Sequence, residues 1–449
     1  MWGDRAVTGS IDRIISSANE PSTPRPLRIR IPTNDLPTHR FGSASATLSV
    51  SDMFVSPVTF SSAHTLPHRT EEYVVSQPVF LDVRPSKERI LTRAVELAQE
   101  DPALAERLMR VNEEARGIRT VEVWVTDACN LRCKGCWFFE HDMDKQSIEI
   151  RDLDTIRAFA EHLRDTKKIT STLLIGGEPA LVLDRVRVFA ETIRNVTVVT
   201  NGTRPIPYDG LEDLAIAVSL WGGGPVDDEL RGHGPNGRRI SGLFGKALRT
   251  YAGDPRATWV YTLSEAGMPY LEQTVEAIAD NGNQINFGYY SDNGTDPTAR
   301  LRNEEHVIRE MTRMRETYPD TVIGDPYYYR TLVTGRTHWG TFGAETCPSI
   351  SNDHPAHAQR LTEGHPIVGR FNAYRTDHSV QYCATTGDCD NCRDSQAVWS
   401  WLLVNMHRFL GDRDQLDTWV TLAENFYRQY HWSSYHPARQ APAESAVGA

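Results

Sequence analysis

From Thr120 to Tyr290 the chain alternates between β-type and helical patterns, which limits the folds open to it more than any other feature. Runs rich in β-branched and aromatic residues recur between stretches of helical periodicity. The predicted strands are 120–126, 171–175, 196–200, 215–220, 258–263 and 284–290. The predicted helices between them are 152–166, 183–194, 209–214, 242–251 and 270–281. Six strands joined through helices predict an α/β fold with a parallel sheet and right-handed crossovers.

The length of the chain, 449 residues, predicts two or three domains, or one large barrel with appendages. We expect an N-terminal extension at 1–117, a core of strands and helices at 118–300, and a cysteine-containing C-terminal segment at 301–449. The first part of the extension is rich in Ser, Thr and Pro, which favours irregular structure with a few strands. Two helices end it, at 86–98 and from an Asp101 N-cap to about Gly117.

Charge and hydropathy exclude several kinds of partner. The 48 Lys and Arg stand against 59 Asp and Glu, so the net charge of −11 argues against a nucleic-acid backbone as main partner. No apolar run approaches the roughly 18 residues of a membrane helix. The N-terminus lacks a basic region followed by an apolar stretch, which a secretory signal requires. We therefore expect a cytoplasmic protein with neither a nucleic acid nor a membrane as partner.

Three of the seven cysteines, Cys129, Cys133 and Cys136, lie in one segment, CNLRCKGC, directly after the first predicted strand. Spacings of three and then two residues allow one loop to reach three corners of an iron–sulfur cube and to leave the fourth iron open. A zinc site that borrows a distant ligand, or three unrelated buried thiols, are the alternatives.

A second motif, GGEP, ends the second predicted strand at Gly176, Gly177, Glu178 and Pro179. The glycines allow close backbone approach, and Glu178 offers a carboxylate to a cationic group. Since parallel sheets carry their chemistry at the carboxyl ends of the strands, the cysteine loop and this turn are predicted to share one mouth.

The CNLRCKGC and GGEP segments and the six βα units around them, about 121–291, resemble the radical S-adenosylmethionine (radical SAM) superfamily. The resemblance implies a partial (βα)6 TIM-type barrel and a [4Fe-4S] cluster held by the three loop cysteines. S-adenosylmethionine would bind the open iron and yield a 5′-deoxyadenosyl radical that abstracts hydrogen from substrate. A flavodoxin or ferredoxin would donate the electron.

The resemblance also implies roles for single residues around the cofactor. The GGEP residues, Gly176 to Pro179, would line the methionine amino group. Further contacts, to the carboxylate or the ribose, are expected from Thr200, Asn201 and Ser219. In many family members an aromatic residue just before the third cysteine contacts the adenine of the cofactor, and this chain has Gly135 there. Trp137 or Phe138 is the candidate for that adenine contact, and a core position under the loop is the alternative for Trp137.

The other four cysteines, Cys347, Cys383, Cys389 and Cys392, lie in the last quarter of the chain. Four thiolates complete a cube, so we predict a second, fully ligated [4Fe-4S] cluster, loosely similar to the SPASM or twitch segments of the family. A four-cysteine zinc site is the alternative, because a CxxC pair with two further cysteines is a frequent zinc pattern.

The function that this resemblance implies is hydrogen abstraction from a small polar substrate, such as a sugar or aminoglycoside-type natural-product intermediate. The outcome would be deoxygenation, dehydration or oxidation, and Glu140, Tyr290 and Asp292 are the candidate catalytic residues because they lie near strand ends or the cysteine loop. One alternative is an enzyme that modifies ribosomal peptides. An alternative of another class is a non-catalytic iron–sulfur or zinc scaffold, which would not need the GGEP turn.

Overall fold

A computed structural model describes residues 85–289, 301–337, 340–341, 373–381 and 393–440, with backbone only for 340, 341 and 381. Its strands, in chain order β1 to β11, are Thr120–Thr126, Ser171–Gly176, Asn195–Thr200, Ala215–Leu220, Ala257–Leu263, Gln284–Tyr289, Val322–Ile323, Arg336–Thr337, Gly340–Thr341, Ala373–Tyr374 and Val380–Gln381. The first six coincide with the six predicted strands to within one residue at either end.

The helices of the described ranges are numbered α1 to α13. They are Lys87–Ala98, Pro102–Arg116, Trp137–Glu140, Leu153–Asp165, Leu183–Thr192, Gly224–Arg231, Leu243–Thr250, Leu271–Asp280, Glu304–Thr317, Pro326–Thr334, Ser395–Val404, Arg413–Arg428 and Pro437–Gln440. Short 3₁₀ turns lie at Met143–Lys145, Pro179–Leu181, Met268–Tyr270 and Met406–Phe409.

One twisted sheet organises the fold. Its strand order is β11-β10-β1-β2-β3-β4-β5-β6-β7, and every pair is parallel except β10 with β11. The predicted parallel α/β sheet of barrel type is therefore confirmed, and the sheet is not closed. The short strands β7, β10 and β11 were not predicted, and they come from residues beyond 301 that add to the two sides of the same sheet.

Local sequence explains where the crossover helices begin. The Asp152 carboxylate accepts a hydrogen bond of 2.8 Å from the Thr155 N–H and caps α4, which buries Ile156, Ala160 and Leu163 on one face. Asp101 caps α2 in the same way, as predicted, by accepting from the N–H groups of the next turn.

Three local predictions need correction. Residues 209–214 form turns rather than a helix, because Gly210 takes a positive φ of 73° that a right-handed helix cannot contain. Helix α6 was missed because it begins in a run of three glycines, Gly222 to Gly224, which predicts a turn. Helix α10 was not predicted, although Asp325 caps it by accepting a hydrogen bond of 2.7 Å from the Tyr327 N–H.

A layer of C-terminal helices covers the remaining apolar surface. Helix α12 packs against α1 and α2, and its neighbour α11 is buried on all sides. Across this contact the Arg107 guanidinium donates to both carboxylate oxygens of Glu424, at 3.0 and 2.7 Å. None of the described helices is both long and apolar enough to span a membrane.

Candidate functional site

The GGEP turn lies directly against the start of the cysteine loop. The Gly177 N–H donates to the Thr126 carbonyl and the Glu178 N–H to the Ala128 carbonyl, both at 2.8 Å. A Cβ atom at Gly176 would lie 2.3 Å from the Thr126 carbonyl oxygen, and one at Gly177 would lie 2.1 Å from that of Ala128. The two glycines are therefore required because the backbones at the ends of β1 and β2 touch.

The Glu178 carboxylate joins the ends of β2 and β3. One oxygen accepts from the Ala180 N–H at 2.9 Å and the Thr200 hydroxyl at 2.7 Å, and the other accepts from the Asn201 N–H at 2.7 Å. Burial raises the pKa of Glu178, and these hydrogen bonds oppose the rise. Three donors of the protein therefore hydrogen-bond to the Glu178 carboxylate, for which the sequence analysis expected a cationic group as partner.

The side chains at the end of β3 also hold the cysteine loop. The Asn201 amide donates to the Asn130 side-chain oxygen at 2.8 Å, and the Asn130 amide donates to the Thr203 hydroxyl at 2.8 Å. The Asn201 nitrogen lies 3.9 Å from the Cys129 sulfur. Asn201 and Thr200 therefore support the loop in this structure, and their predicted contacts to the cofactor remain predictions.

The three loop thiols are half-buried and lie near one another. Burial raises the pKa of Cys129 to about 11 and that of Cys133 to about 12, so both are protonated at neutral pH unless iron or another cation stabilises the thiolates. The Leu131 N–H lies 3.4 Å from the Cys129 sulfur. The N–H groups of Phe138 and Phe139 point at the Cys136 sulfur and oppose the burial that raises its pKa.

The donor set suits a cluster better than a single metal ion. No three His, Cys, Asp or Glu side chains in the described ranges converge as one metal ion requires. A four-iron cube spreads its thiolate ligands over a wider volume, and N–H donors to sulfur are typical of such sites. Cys129, Cys133 and Cys136 would hold the cluster, and its open iron is where S-adenosylmethionine would bind.

Arg231 belongs to this site, and sequence reasoning missed it. The guanidinium is buried beside Cys133 and opposes the burial that raises the pKa of that thiol. It donates to the carbonyl of Ser219 at 2.7 Å and to that of Asn201 at 2.8 Å, and it pairs with Asp227 at 3.1 Å. The spacing of four residues between Asp227 and Arg231 would have indicated this ion pair if a helix had been predicted there.

The end of α6 also fixes the loop backbone. The Lys134 N–H donates to the Leu230 carbonyl at 2.8 Å, and the Arg132 N–H donates to the His233 carbonyl at 2.6 Å. Because the last carbonyls of a helix lack partners within it, they are free to hold another segment. Helix α6 therefore connects the cysteine loop to the ends of β3 and β4.

Phe138, rather than Trp137, fills the core position under the loop. The Phe138 ring is buried and packs edge-on against Trp124, with centroids 5.2 Å apart. Trp137 is 37% exposed beside it, so its alternative role as a core aromatic does not hold. Glu140 is exposed and accepts a 2.7 Å hydrogen bond from the Gly135 N–H, which shapes the loop.

Several predicted residues lie outside the described residues. They are Tyr290 and Asp292 among the catalytic candidates, and all four late cysteines, Cys347, Cys383, Cys389 and Cys392. Their roles remain predictions.

Inside the sheet lies a cavity of about 160 Å³, which we call the inner cavity. Side chains on the inner face of β2 to β6 form its wall, with Thr197, Ser219, Thr258 and Asn286 as polar members. Tyr328 and Trp399 close it, their rings stacked 3.9 Å apart. Ser219, near the end of β4, lines this cavity, and its backbone carbonyl accepts the hydrogen bond from Arg231 described above.

Comparisons with known proteins agree with this site. Residues 124–221 match the family model described as the radical SAM superfamily, a segment that runs from β1 past β4 and includes both motifs. The resemblance is thereby confirmed for residues 124–221, which carry a radical SAM domain, and the members of this superfamily are enzymes. This family uses a [4Fe-4S] cluster and S-adenosylmethionine.

Matches to solved structures were also found. Streptococcus suis SuiB bound to the precursor peptide SuiA is 13% identical, with 68% of each chain covered and a TM-score of 0.39. Native anSMEcpe with bound AdoMet is 11% identical, with 62% of this chain and 78% of that chain covered and a TM-score of 0.41. The FeFe-hydrogenase maturase HydG from Carboxydothermus hydrogenoformans is 12% identical, with 75% and 85% covered and a TM-score of 0.32. No curated protein matches the chain.

Proposed function

We propose that this radical SAM enzyme abstracts a hydrogen atom from a small polar substrate, a sugar or aminoglycoside-type natural-product intermediate, held in the inner cavity. The carrying observation is that the cysteine loop and the GGEP turn share one mouth, and that the inner cavity beneath it has an uncharged, hydroxyl- and amide-bearing wall. Such walls recognise hydroxyl groups by hydrogen bonding.

The cluster with S-adenosylmethionine would supply a 5′-deoxyadenosyl radical, for which we expect a flavodoxin or ferredoxin as electron donor. Residues of the chain bind the cluster, the cofactor and the substrate. Cys129, Cys133 and Cys136 hold the cluster, and the GGEP backbone lines the methionine end. The Ser219 hydroxyl lies on the wall of the inner cavity, where a ribose or a substrate hydroxyl can reach it.

The proposal is tested with the anaerobically reconstituted full chain, S-adenosylmethionine and a chemical reductant. We expect 5′-deoxyadenosine to form with the wild type and not with the Cys129→Ala, Cys133→Ala, Cys136→Ala triple variant. Circular dichroism of the variant checks that its fold survives. Cleavage by the triple variant at the wild-type rate would overturn the cluster assignment, and no cleavage by the reconstituted wild type would favour a metal-binding scaffold.

The substrate class is tested with deuterated candidates. Amino-sugars form one arm and short peptides the other. Transfer of deuterium into 5′-deoxyadenosine from an amino-sugar supports the proposal, whereas transfer only from a peptide would replace it with peptide modification.

A further inference from the structure

A buried hydroxyl on β5 indicates a ligand in the inner cavity. Thr258 is the second residue of this strand, it is 3% exposed, and its side chain lines the inner cavity. Among the described residues its hydroxyl oxygen has no hydrogen-bond partner. Because a buried hydroxyl without a partner costs free energy, we expect a polar group inside the cavity to meet this one.

Two other polar side chains of the same wall are already engaged by the protein. The Thr197 hydroxyl accepts a hydrogen bond of 2.9 Å from the Trp432 indole N–H. The Asn286 amide donates to the Gln429 side-chain oxygen at 2.8 Å. Both contacts hold the C-terminal layer against the sheet. The Thr258 hydroxyl makes no such contact within the described part of the chain, so it is free to bind a ligand.

The register of the sheet places Thr258 at the deep end of the inner cavity. Thr258 pairs with Ala217 of β4, and Ser219, two residues further along β4, pairs with Val260. Ser219 also lines the cavity, and it lies nearer the carboxyl ends of the strands, where the cysteine loop follows β1. A rise of about 3.3 Å per residue and about 4.8 Å between strands put the backbones of Thr258 and Ser219 roughly 8 Å apart. One ring with hydroxyl groups at opposite ends can therefore meet both side chains.

The wall of the inner cavity carries no charge. The described residues that line it include no Asp, Glu, Lys, Arg or His. Transfer of an unpaired ammonium or carboxylate group from water into such surroundings costs more free energy than transfer of a hydroxyl that finds a hydrogen bond there. The volume of about 160 Å³ is close to the roughly 150 Å³ of an engineered protein cavity that holds one benzene ring. The cavity therefore suits a single uncharged ring.

We propose that the inner cavity binds an uncharged, hydroxyl-bearing ring of the substrate, and that the Thr258 hydroxyl selects it by hydrogen bonding to the hydroxyl at its deep end. The inference rests on the proposed function, since it names the part of the substrate that lies inside the sheet. An amino group of a larger aminoglycoside-type substrate would lie outside the cavity. The tyrosine side chain of a peptide also offers a ring with one hydroxyl, but the several hydroxyl and amide groups of the wall favour a sugar ring, which carries more.

The test measures equilibrium binding to the oxidised, reconstituted full chain by calorimetry or ligand-observed NMR. The probes are glucose, glucosamine and Nα-acetyl-tyrosine amide. Glucose should bind at least as tightly as glucosamine, because the wall offers the ammonium group no counter-charge. Tighter binding of glucosamine, or no binding of either sugar, would overturn the inference, and binding of the tyrosine derivative alone would overturn the sugar as the source of the ring.

Thr258→Val locates the effect, because valine has nearly the same shape as threonine and no hydroxyl. This variant should weaken glucose binding by about three- to tenfold, which is the loss of one hydrogen bond. Since no described protein group bonds to the hydroxyl, the variant should unfold at the same urea concentration as the wild type or at a higher one. Thr258→Ser keeps the hydroxyl and should restore most of the affinity.

Thr172→Val is the matched control. Thr172 of β2 is 1% exposed, and its hydroxyl also has no partner among the described residues. Its neighbour Leu173 lines the inner cavity, so Thr172 faces the other side of the sheet. Thr172→Val should resemble Thr258→Val in urea and leave the glucose affinity unchanged. Wild-type glucose affinity in Thr258→Val, or an equal loss of affinity in both variants, would contradict the proposal.

These binding measurements need no cleavage of S-adenosylmethionine. A wild type that binds glucose through Thr258 but forms no 5′-deoxyadenosine would sink the proposed function and not the cavity site. A wild type that forms 5′-deoxyadenosine, with no loss of glucose affinity in Thr258→Val, would do the reverse.

Discussion

At the scale of single residues, the buried pair of Arg231 and Asp227 does more than neutralise two charges. Its guanidinium reaches backbone carbonyls at the ends of β3 and β4 and lies beside Cys133. A buried ion pair contributes little net stability by itself, but removal of one partner leaves an uncompensated charge. The position of Arg231 therefore makes the cysteine loop sensitive to this one side chain.

We expect Arg231→Met to lower the free energy of unfolding by about 3 to 5 kcal/mol, because Asp227 is left buried and unpaired. Arg313→Met is the matched control, since the Arg313 pair with Glu272 at 2.9 Å is exposed and its loss should cost less than about 1 kcal/mol. Urea unfolding of both apoproteins gives the comparison. Similar losses in the two variants would show that Arg231 is not a structural link.

At the scale of elements, the site depends on the contact between the turn after β2 and the loop after β1. A side chain has no room at Gly176 or Gly177, because the backbones of the turn and the loop touch at these two positions. The motif therefore serves packing as well as any contact to a cofactor.

We predict that Gly177→Ala lowers stability by about 2 kcal/mol or more and reduces iron incorporation, because its Cβ would meet a carbonyl oxygen that cannot move aside. Gly117→Ala is the control: its φ is −80° and the nearest atom to a new Cβ lies 3.7 Å away. Thermal unfolding and iron content of the two variants decide the matter. If Gly177→Ala behaves like the control, the close approach described above is not essential.

At the scale of the whole molecule, the segment after α12 closes the end of the sheet opposite the cysteine loop. The Trp432 indole donates to the Thr197 hydroxyl at 2.9 Å, and His431 and His436 are buried beside it with rings 5.2 Å apart. Burial lowers the pKa of His431 to about 4 and that of His436 to about 3. Both are therefore neutral in the folded chain at neutral pH.

These two histidines predict a loss of stability in acid. In the unfolded chain both histidines take up protons below their ordinary pKa of 6.5, whereas in the folded chain they do so only below about pH 4 and pH 3. The contribution of the neutral histidines to stability is therefore complete above pH 6.5 and falls as the pH drops toward 4. His431→Phe should reduce the loss between about pH 7 and pH 5 measured by urea unfolding. The exposed His162→Gln should leave it unchanged, and an identical pH profile in all three proteins would refute the assignment.

Iron content tests the proposed second cluster in the C-terminal segment. Two clusters require about eight irons per chain, and one cluster with a zinc site requires about four irons and one zinc. Cys389→Ser with Cys392→Ser should remove about four irons and leave the spectrum of the first cluster intact. About four irons and no zinc in the wild type would mean that the late cysteines are plain thiols. The division into an N-terminal extension, a core and this C-terminal segment remains a proposal of the same kind.

The sequence by itself determined the six central strands, their parallel order and the two motifs at their ends, because these follow from local periodicity, cysteine spacing and glycine at close approaches. Only the tertiary structure decided which distant side chains meet. It brought Arg231 to Cys133 and placed Phe138 rather than Trp137 in the core. Such contacts depend on how helices such as α6 and α11 pack onto the sheet. A pattern that repeats every two or four residues records which face of an element is buried, but not which partner covers that face.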